Sequence, residues 1–209
     1  MIKEFSLRHI KAILLDRDGT INVERADYVR TVDQFVLLPN AEAALGKLAT
    51  LQLPVAVVTN QSGIGRGLLE RRAVDAIHAQ LAEIAASQGV DIRLFAVCPH
   101  HPEDGCACRK PKPGLLLQAA DHMGVAPSEC LLIGDSISDC QAALAAGCAA
   151  ILVRTGRQGA QLDSLCKNAG IAPEEVLVVA DLLAAAALLS DILGQDASEP
   201  LLPMREHAP

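Results

Sequence analysis

The stretch Lys11-Ala12-Ile13-Leu14-Leu15-Asp16-Arg17-Asp18-Gly19-Thr20-Ile21-Asn22 decides how the rest of the chain is read, because an apolar run of strand length stops abruptly at two carboxylates spaced i, i+2. Strands buried on both faces of a parallel sheet are short continuous apolar runs, and ligands bind beyond their carboxyl ends. In extended backbone, side chains two residues apart project to the same side. Asp16 and Asp18 would therefore leave the strand end together, and two adjacent acids are costly to leave unpaired. A hard cation such as magnesium would hold them, and a carboxylate beside that cation can attack a phosphoryl group to give an aspartyl-phosphate. An Asp-x-Asp-Gly segment is also a common polar turn, so the pair needs support from elsewhere in the chain.

The bulk properties narrow the field. A chain of 209 residues is long enough for one well-buried α/β domain and too short for two comfortable ones. A formal net charge of −7 and an aromatic content of 2% argue against a nucleic-acid surface, which needs a basic stripe and stacking platforms. The expected partner is a small molecule, and the chain is expected to act as a monomer. No apolar run reaches membrane-spanning length, and the start Met1-Ile2-Lys3-Glu4-Phe5-Ser6 lacks a signal-peptide core, so a cytoplasmic location is expected. Of seven cysteines, Cys98, Cys106 and Cys108 fall within eleven residues beside His100 and His101, which reads as a metal site rather than as disulfides. Cys130, Cys140, Cys148 and Cys166 read as small reduced core residues.

Strand and helix patterns alternate along the chain. After the first strand, a polar segment leads to a helical pattern from Ala41 to Leu51 and a second apolar strand from Leu53 to Thr59. A longer helix is expected from Glu70 to Gln88, ended by Gly89, then a strand from Ile92 to Val97 and a helix from Gly114 to Met123. A strand from Cys130 to Gly134 precedes a helix from Ser138 to Ala146. Strands from Ala149 to Val153 and from Val176 to Ala180 and a helix from Asp181 to Leu193 complete the series. Such alternation implies an α/β, doubly wound, mostly parallel sheet with right-handed crossovers. Residues 1–193 are read as one domain, and 194–209 as a loosely held tail with little periodicity.

Three strands end in polar clusters: Asp16 and Asp18, then Thr59-Asn60-Gln61-Ser62-Gly63, then Gly134-Asp135-Ser136-Ile137-Ser138-Asp139. In a doubly wound sheet those ends converge on one edge. Phosphoryl transfer needs a nucleophile, a cation to offset charge, donors for the equatorial oxygens and a proton relay. Asp16 would be the nucleophile and Asp18 the acid/base. Asp135 would close a magnesium site with Asp16 and Asp18, Thr59 and Asn60 would be donors, and Lys110 would be a fixed positive charge. Each cluster alone has a plainer reading: a turn or helix cap at Thr59 to Gly63, a capping pair at Asp135 and Asp139.

The segment Cys98-Pro99-His100-His101-Pro102-Glu103-Asp104-Gly105-Cys106-Ala107-Cys108 offers three thiolates and an imidazole, a set suited to tetrahedral zinc. With Cys98, His100, Cys106 and Cys108 filling all four positions, the zinc in loop 98–108 would be structural, and His100 is preferred over its neighbour His101. That metal would position Arg109-Lys110-Pro111-Lys112 towards an anionic substrate, although a solvated basic run is the ordinary alternative.

Taken together, Asp16-Arg-Asp-Gly-Thr-Ile-Asn22, Thr59-Asn-Gln-Ser-Gly-Ile-Gly-Arg-Gly67, the Cys-Pro-His-His-Pro loop with its Cys-x-Cys-Arg-Lys-Pro-x-Pro-Gly continuation, and Gly134-Asp-Ser-x-x-Asp139 resemble the haloacid dehalogenase superfamily. The resemblance covers residues 11 to 155 in unbroken order. Within the superfamily the chain is similar to D-glycero-D-manno-heptose-1,7-bisphosphate 7-phosphatases, which serve nucleotide-activated heptose biosynthesis, and to the related histidinol-phosphatases. The resemblance implies that the sheet carries no large cap domain, and it implies Asp16 as nucleophile, Asp18 as general acid/base, Thr59 and Lys110 on the phosphoryl group, Asp135 on magnesium and Arg109 on the substrate. Gln61, Ser62, Arg25 and Arg66 are further substrate-binding candidates, with Asn60. The short zinc loop is like that of the histidinol enzymes, and Ser136 stands where some heptose enzymes place a Lys. The Gln-Ser-Gly-Ile-Gly-Arg-Gly stretch and the cations Arg25, Arg66, Arg109 and Lys112, which could form a second anion pocket, favour a bisphosphate. A phosphate-binding protein without catalysis is the reading from another class, and the intact acid pair argues against it.

Overall fold

In a computed structural model that describes residues 7–194, six strands form one sheet in the order β3-β2-β1-β4-β5-β6. The strands are β1 (Ala12–Leu15), β2 (Val55–Asn60), β3 (Ile92–Cys98), β4 (Cys130–Gly134), β5 (Ala149–Val153) and β6 (Leu177–Val179). Every pairing is parallel, as the crossover helices require. Those helices are α1 (Ala41–Ala49), α2 (Arg71–Ser87), α3 (Gly114–Met123), α4 (Ile137–Ala146), α5 (Leu162–Asn168) and α6 (Leu182–Gly194).

Alternation along each strand divides the core in two. Ile13 and Leu15 of β1, Val55 and Val57 of β2 and Leu131 and Ile133 of β4 pack on α1, α2 and α6. Their neighbours Ala12 and Leu14, Ala56 and Val58, and Cys130 and Leu132 face α3, α4 and α5. Central strands covered on both sides have no solvent face to hold polar residues, which is why β1 and β4 are apolar throughout. Cys130, Cys140, Cys148 and Cys166 are free and buried in this packing.

The chain reverses direction between β1 and β4, which lie side by side although three crossovers separate them in sequence. That is the topological switch point of a doubly wound sheet, where a crevice opens at the carboxyl ends. The expected elements are present with ends shifted by one or two residues, and α5 falls in a stretch to which no element was assigned. It buries only Leu162 and Cys166, too little apolar periodicity to stand out. The expected tail lies outside the described residues, apart from Gly194. Among the described residues no helix is long and apolar enough to cross a membrane.

Candidate functional site

The ends of β1, β2 and β4 open into a cleft of about 450 Å³ lined by Asp16, Asp18, Thr59, Asn60, Ser62, Arg109, Lys110 and Asp135. Asp16 is fixed by its backbone N–H, which donates to Ile133 O at 2.9 Å, and so continues the sheet for one residue beyond β1. Its Oδ1 accepts from Lys110 Nζ at 2.7 Å. Lys110 is buried, and its ammonium also donates to Val58 O at 2.9 Å and pairs with Asp139 Oδ1 at 2.6 Å. Burial alone would favour the neutral amine, but Asp139 and Asp16 reverse this and hold the lysine pKa above its ordinary value.

Asp16, Asp135 and Asp139 are all buried and bring carboxylate oxygens within 4.8 Å of one another. Burial, with further pressure from Asp139 and Asp18, lifts Asp16 to about 6 although Lys110 pulls the other way. Burial and repulsion from Asp16, Asp139 and Glu24 lift Asp135 to about 9. Lys110 is one cation among three acids, so negative charge is left over where water is scarce. Mg2+ binds carboxylate oxygens at about 2.0–2.1 Å in an octahedral array, and this donor set suits such an ion. Asp135 is boxed in as well: a Cβ on Gly156 would lie 1.6 Å from its Oδ2, so the loop after β5 can pass over the carboxylate only as glycine.

The expected magnesium set of Asp16, Asp18 and Asp135 differs from this grouping at one member. Both Asp18 oxygens are occupied: Oδ1 accepts from Arg17 Nη2 and Asn22 Nδ2, each at 2.9 Å, and Oδ2 from Arg17 Nη2 and Gln61 Nε2, each at 2.7 Å. Asp139 takes its place in the cluster, while its Oδ2 also accepts from Ser136 N at 3.0 Å to cap α4. Although burial acts the other way, the Arg17 charge and the donors from Asn22, Arg17 and Gln61 hold the Asp18 carboxyl below its ordinary range.

The structure places the remaining candidates unevenly. Thr59 is buried at the base of the cleft and accepts from Gln61 Nε2 at 2.9 Å, leaving its hydroxyl hydrogen to donate. Asn60 exchanges two 3.1 Å hydrogen bonds with the Lys110 main chain and so anchors that lysine's backbone. Gln61 spends its amide on Asp18 and Thr59 rather than facing the cleft. Ser62 meets the Tyr28 hydroxyl at 3.2 Å. Arg25 and Arg109 line the cleft, and Arg109 Nη1 is buried without a hydrogen-bond partner. Arg66 is exposed and outside the lining. Lys112 does not join an anion pocket, because its ammonium donates to Gly105 O at 2.6 Å and Cys106 O at 2.8 Å and staples the cysteine loop. Arg157, paired with Glu24 at 3.1 Å, lines the cleft in addition. It stands in a loop without a motif, and nothing local in the sequence marks it.

The cysteine loop joins β3 to α3. Cys98 Sγ lies 3.7 Å from Cys106 Sγ and 3.6 Å from His100 Nδ1, Cys106 Sγ lies 3.5 Å from Cys108 Sγ, and His100 Nδ1 lies 3.2 Å from Cys108 Sγ. Tetrahedral zinc with Zn–S bonds of about 2.3 Å needs ligand atoms about 3.5–3.8 Å apart, so the four residues can hold that ion. Next to them, His101 Nδ1 accepts from Glu103 N at 3.3 Å and is committed to the turn at Pro102–Asp104. The loop also rests on the segment after β2: Gly65 N donates to Pro99 O at 2.7 Å, and a Cβ on Gly65 would meet Pro99 O at 2.7 Å and His101 N at 2.8 Å.

Parallel strands that bring a carboxylate pair, a buried lysine and a capped acid to one switch point define a phosphoryl-transfer hydrolase of the haloacid dehalogenase type. Residues 107–185 match the family model described as HAD-hydrolase-like. A D-glycero-beta-D-manno-heptose-1,7-bisphosphate 7-phosphatase of Pseudomonas aeruginosa is 43% identical over 85% of this chain and 96% of its own length. The D-glycero-alpha-D-manno-heptose-1,7-bisphosphate 7-phosphatase of Mycobacterium tuberculosis is 42% identical over 75% of this chain and 86% of its own. The crystal structure of the D,D-heptose 1,7-bisphosphate phosphatase of B. bronchiseptica complexed with magnesium and phosphate superposes with a TM-score of 0.79 at 38% identity, covering 87% of this chain and 99% of that one. The chain belongs to this heptose-bisphosphate phosphatase family of HAD-like hydrolases.

The raised carboxyl groups predict how the metal-free protein behaves. Asp16 and Asp135 leave 3.8 for about 6 and about 9, so between about pH 4 and about pH 9 the fold keeps protons that the unfolded chain has lost. Stability of the metal-free protein should therefore fall as pH rises through that window. Magnesium should raise the melting temperature more near about pH 8 than near about pH 5, as read by thermal denaturation with and without the ion. An equal shift at both pH values would remove the cluster from consideration as the magnesium site.

Proposed function

We propose that the chain is a magnesium-dependent phosphatase that removes the 7-phosphate of D-glycero-D-manno-heptose 1,7-bisphosphate through an aspartyl-phosphate on Asp16. The observation that carries this reading is the placement of Asp16 at the head of the cleft, 2.7 Å from Lys110 Nζ, with Asp18 two residues on in a cage of donors. Asp16 attacks phosphorus, the bond to the C7 oxygen breaks, and that oxygen takes a proton by way of Asp18. The resting Asp18 is a carboxylate, so the proton arrives with a singly protonated phosphoryl group. Asp18 then takes a proton from the water that attacks the aspartyl-phosphate, and Asp16 is restored. Lys110 offsets charge beside the reacting group, and the Thr59 hydroxyl is placed to donate to a phosphoryl oxygen. Magnesium held by the Asp16 and Asp135 carboxylates would neutralise the phosphoryl oxygens as charge develops.

The substrate follows from the remaining charges and from the relatives' names. Arg25 and Arg109 line the cleft with Lys110, beside an Arg157 that is paired with Glu24, a lining that suits a second phosphate better than the cationic groups of histidinol phosphate. Release of phosphate should be measured with both anomers of the heptose bisphosphate and with histidinol phosphate, each with and without magnesium. Magnesium-dependent hydrolysis of either heptose anomer in preference to histidinol phosphate is expected. The reverse preference would overturn the assignment.

Arg109 gives a sharper prediction. Its buried Nη1 has no hydrogen-bond partner, and a charge-assisted contact from such a group is worth about 1.5–3 kcal/mol. Arg109→Ala should therefore lower kcat/KM on the heptose bisphosphate by about ten- to a hundredfold and leave p-nitrophenyl phosphate nearly unaffected. Equal losses on both substrates would place Arg109 on the reacting phosphoryl group instead.

A further inference from the structure

Arg17 stands between the two acids in sequence, yet it is fully buried and does not line the cleft. A guanidinium in that position is expensive, and its Nε has no hydrogen-bond partner. Its remaining nitrogens are committed in two directions. Nη2 donates to both oxygens of Asp18, at 2.9 and 2.7 Å, while Nη1 lies 3.3 Å from Nε2 of His78 on α2. His78 is itself buried and stacks on Phe95 of β3, with ring centroids 4.5 Å apart and planes 14° from parallel. Burial and the neighbouring Arg17 push the His78 pKa down to about 3, so the imidazole is neutral and Nε2 is free to accept from the guanidinium.

Four side chains thus form one line, running from half-buried Phe95 through the buried His78 and Arg17 to Asp18 at the cleft. We propose that Arg17 and His78 are positioning residues for Asp18: the stacked imidazole sets the plane of the guanidinium, and the guanidinium sets the angle at which the Asp18 carboxyl enters the cleft. The inference rests on the acid/base reading of Asp18 given above. Stability gives no comparable account of the arrangement, because a buried ion pair can be replaced by apolar side chains at little or no loss. Misplacing a catalytic group by about 1 Å, by contrast, can cost about a hundredfold in rate.

The test uses the leaving group. An alkyl phosphate such as the heptose bisphosphate needs a proton on its departing oxygen, whereas p-nitrophenolate leaves without one. The value of kcat/KM reports events up to formation of the aspartyl-phosphate. His78→Leu removes the acceptor, and His78→Gln restores one. Arg17→Met removes the cation at similar volume.

Arg17→Met should lower kcat/KM on the heptose bisphosphate by about a hundredfold and His78→Leu by about tenfold, with losses below about threefold on p-nitrophenyl phosphate. His78→Gln should return the heptose bisphosphate value to within about threefold of wild type. Equal losses on the two substrates, or a His78→Gln protein that melts like wild type yet is as slow as His78→Leu, would overturn the proposal. If His78→Leu does not fold, Arg17→Met and His78→Gln decide the matter by the same ratio. Asp18→Asn serves as the reference: if it shows no difference between the substrates, the acid/base reading fails and the positioning role falls with it. If Asp18→Asn shows the difference and the Arg17 and His78 variants do not, only the positioning role is lost.

Discussion

Asp16→Asn is expected to abolish turnover, by on the order of a thousandfold or more in kcat, in a protein that remains folded. An amide has nearly the volume of the carboxylate, so the packing at the end of β1 need not change. It is a poor nucleophile and a weak ligand for a hard cation, and the Lys110 ammonium at 2.7 Å loses one of its two anionic partners. The loss of that charge falls where burial already disfavours ionisation of Asp16, so folding should not suffer from the substitution as catalysis does. Steady-state assay beside thermal denaturation checks both halves. Activity within tenfold of wild type would mean that another group attacks phosphorus.

Removing Cys108, one of the four residues that can hold zinc, is expected to have the second largest effect, this time on structure. Binding of structural zinc by small cysteine and histidine sites is worth about 10–16 kcal/mol of apparent free energy, well above the few hydrogen bonds that otherwise tie the loop to Lys112 and Gly65. Its only apolar anchorage is Cys98, buried at the end of β3, with Cys106 and Cys108 half-covered against the core. Burial pushes the Cys98 thiol up to about 12, while donors from the Arg109 backbone and the neighbouring thiols draw Cys106 down to about 7 against burial. Cys108→Ser should therefore lose about one equivalent of zinc per chain and open residues 98–108 to proteolysis, while the sheet, which has its own core, melts separately. Elemental analysis and limited proteolysis read the two effects. Protein purified without chelator that contains no zinc would defeat the assignment at once.

The sequence made the sheet legible because β1, β2 and β4 are buried on both faces and so carry unbroken apolar runs that end abruptly in polar residues. The gathering of the cysteine loop was legible for a similar reason: Cys98, His100, Cys106 and Cys108 lie within eleven residues, and the structure brings their donor atoms together. What escaped depends on contacts between distant segments. Asp139 was weighed only as a capping residue, and it does cap α4, but its other oxygen meets a lysine from a different loop. Read from its own neighbours, Asp18 is open to a cation, and its saturation by Arg17, Asn22 and Gln61 requires two loops to converge. Lys112 was grouped with the other cations on charge alone, whereas carbonyls of the turn preceding it capture its ammonium. Arg157 reaches the cleft from beyond β5, where no motif announced it.

The approach of Gly65 to the backbone of Pro99 and His101 has a bearing on how this family can vary. Gly65 is exposed, and it meets the cysteine loop through backbone alone, its N–H donating to Pro99 O, so no side-chain chemistry accounts for the residue there. Yet the atoms that any side chain there would strike are backbone atoms of Pro99, His100 and His101 in the cysteine loop, which a bound zinc would prevent from moving aside. With zinc on Cys98, His100, Cys106 and Cys108, mutational tolerance at this surface position would be set by a metal ion bound to other residues. In a library screened at rising chelator concentration, Gly65 should accept substitutions only as the loop loosens.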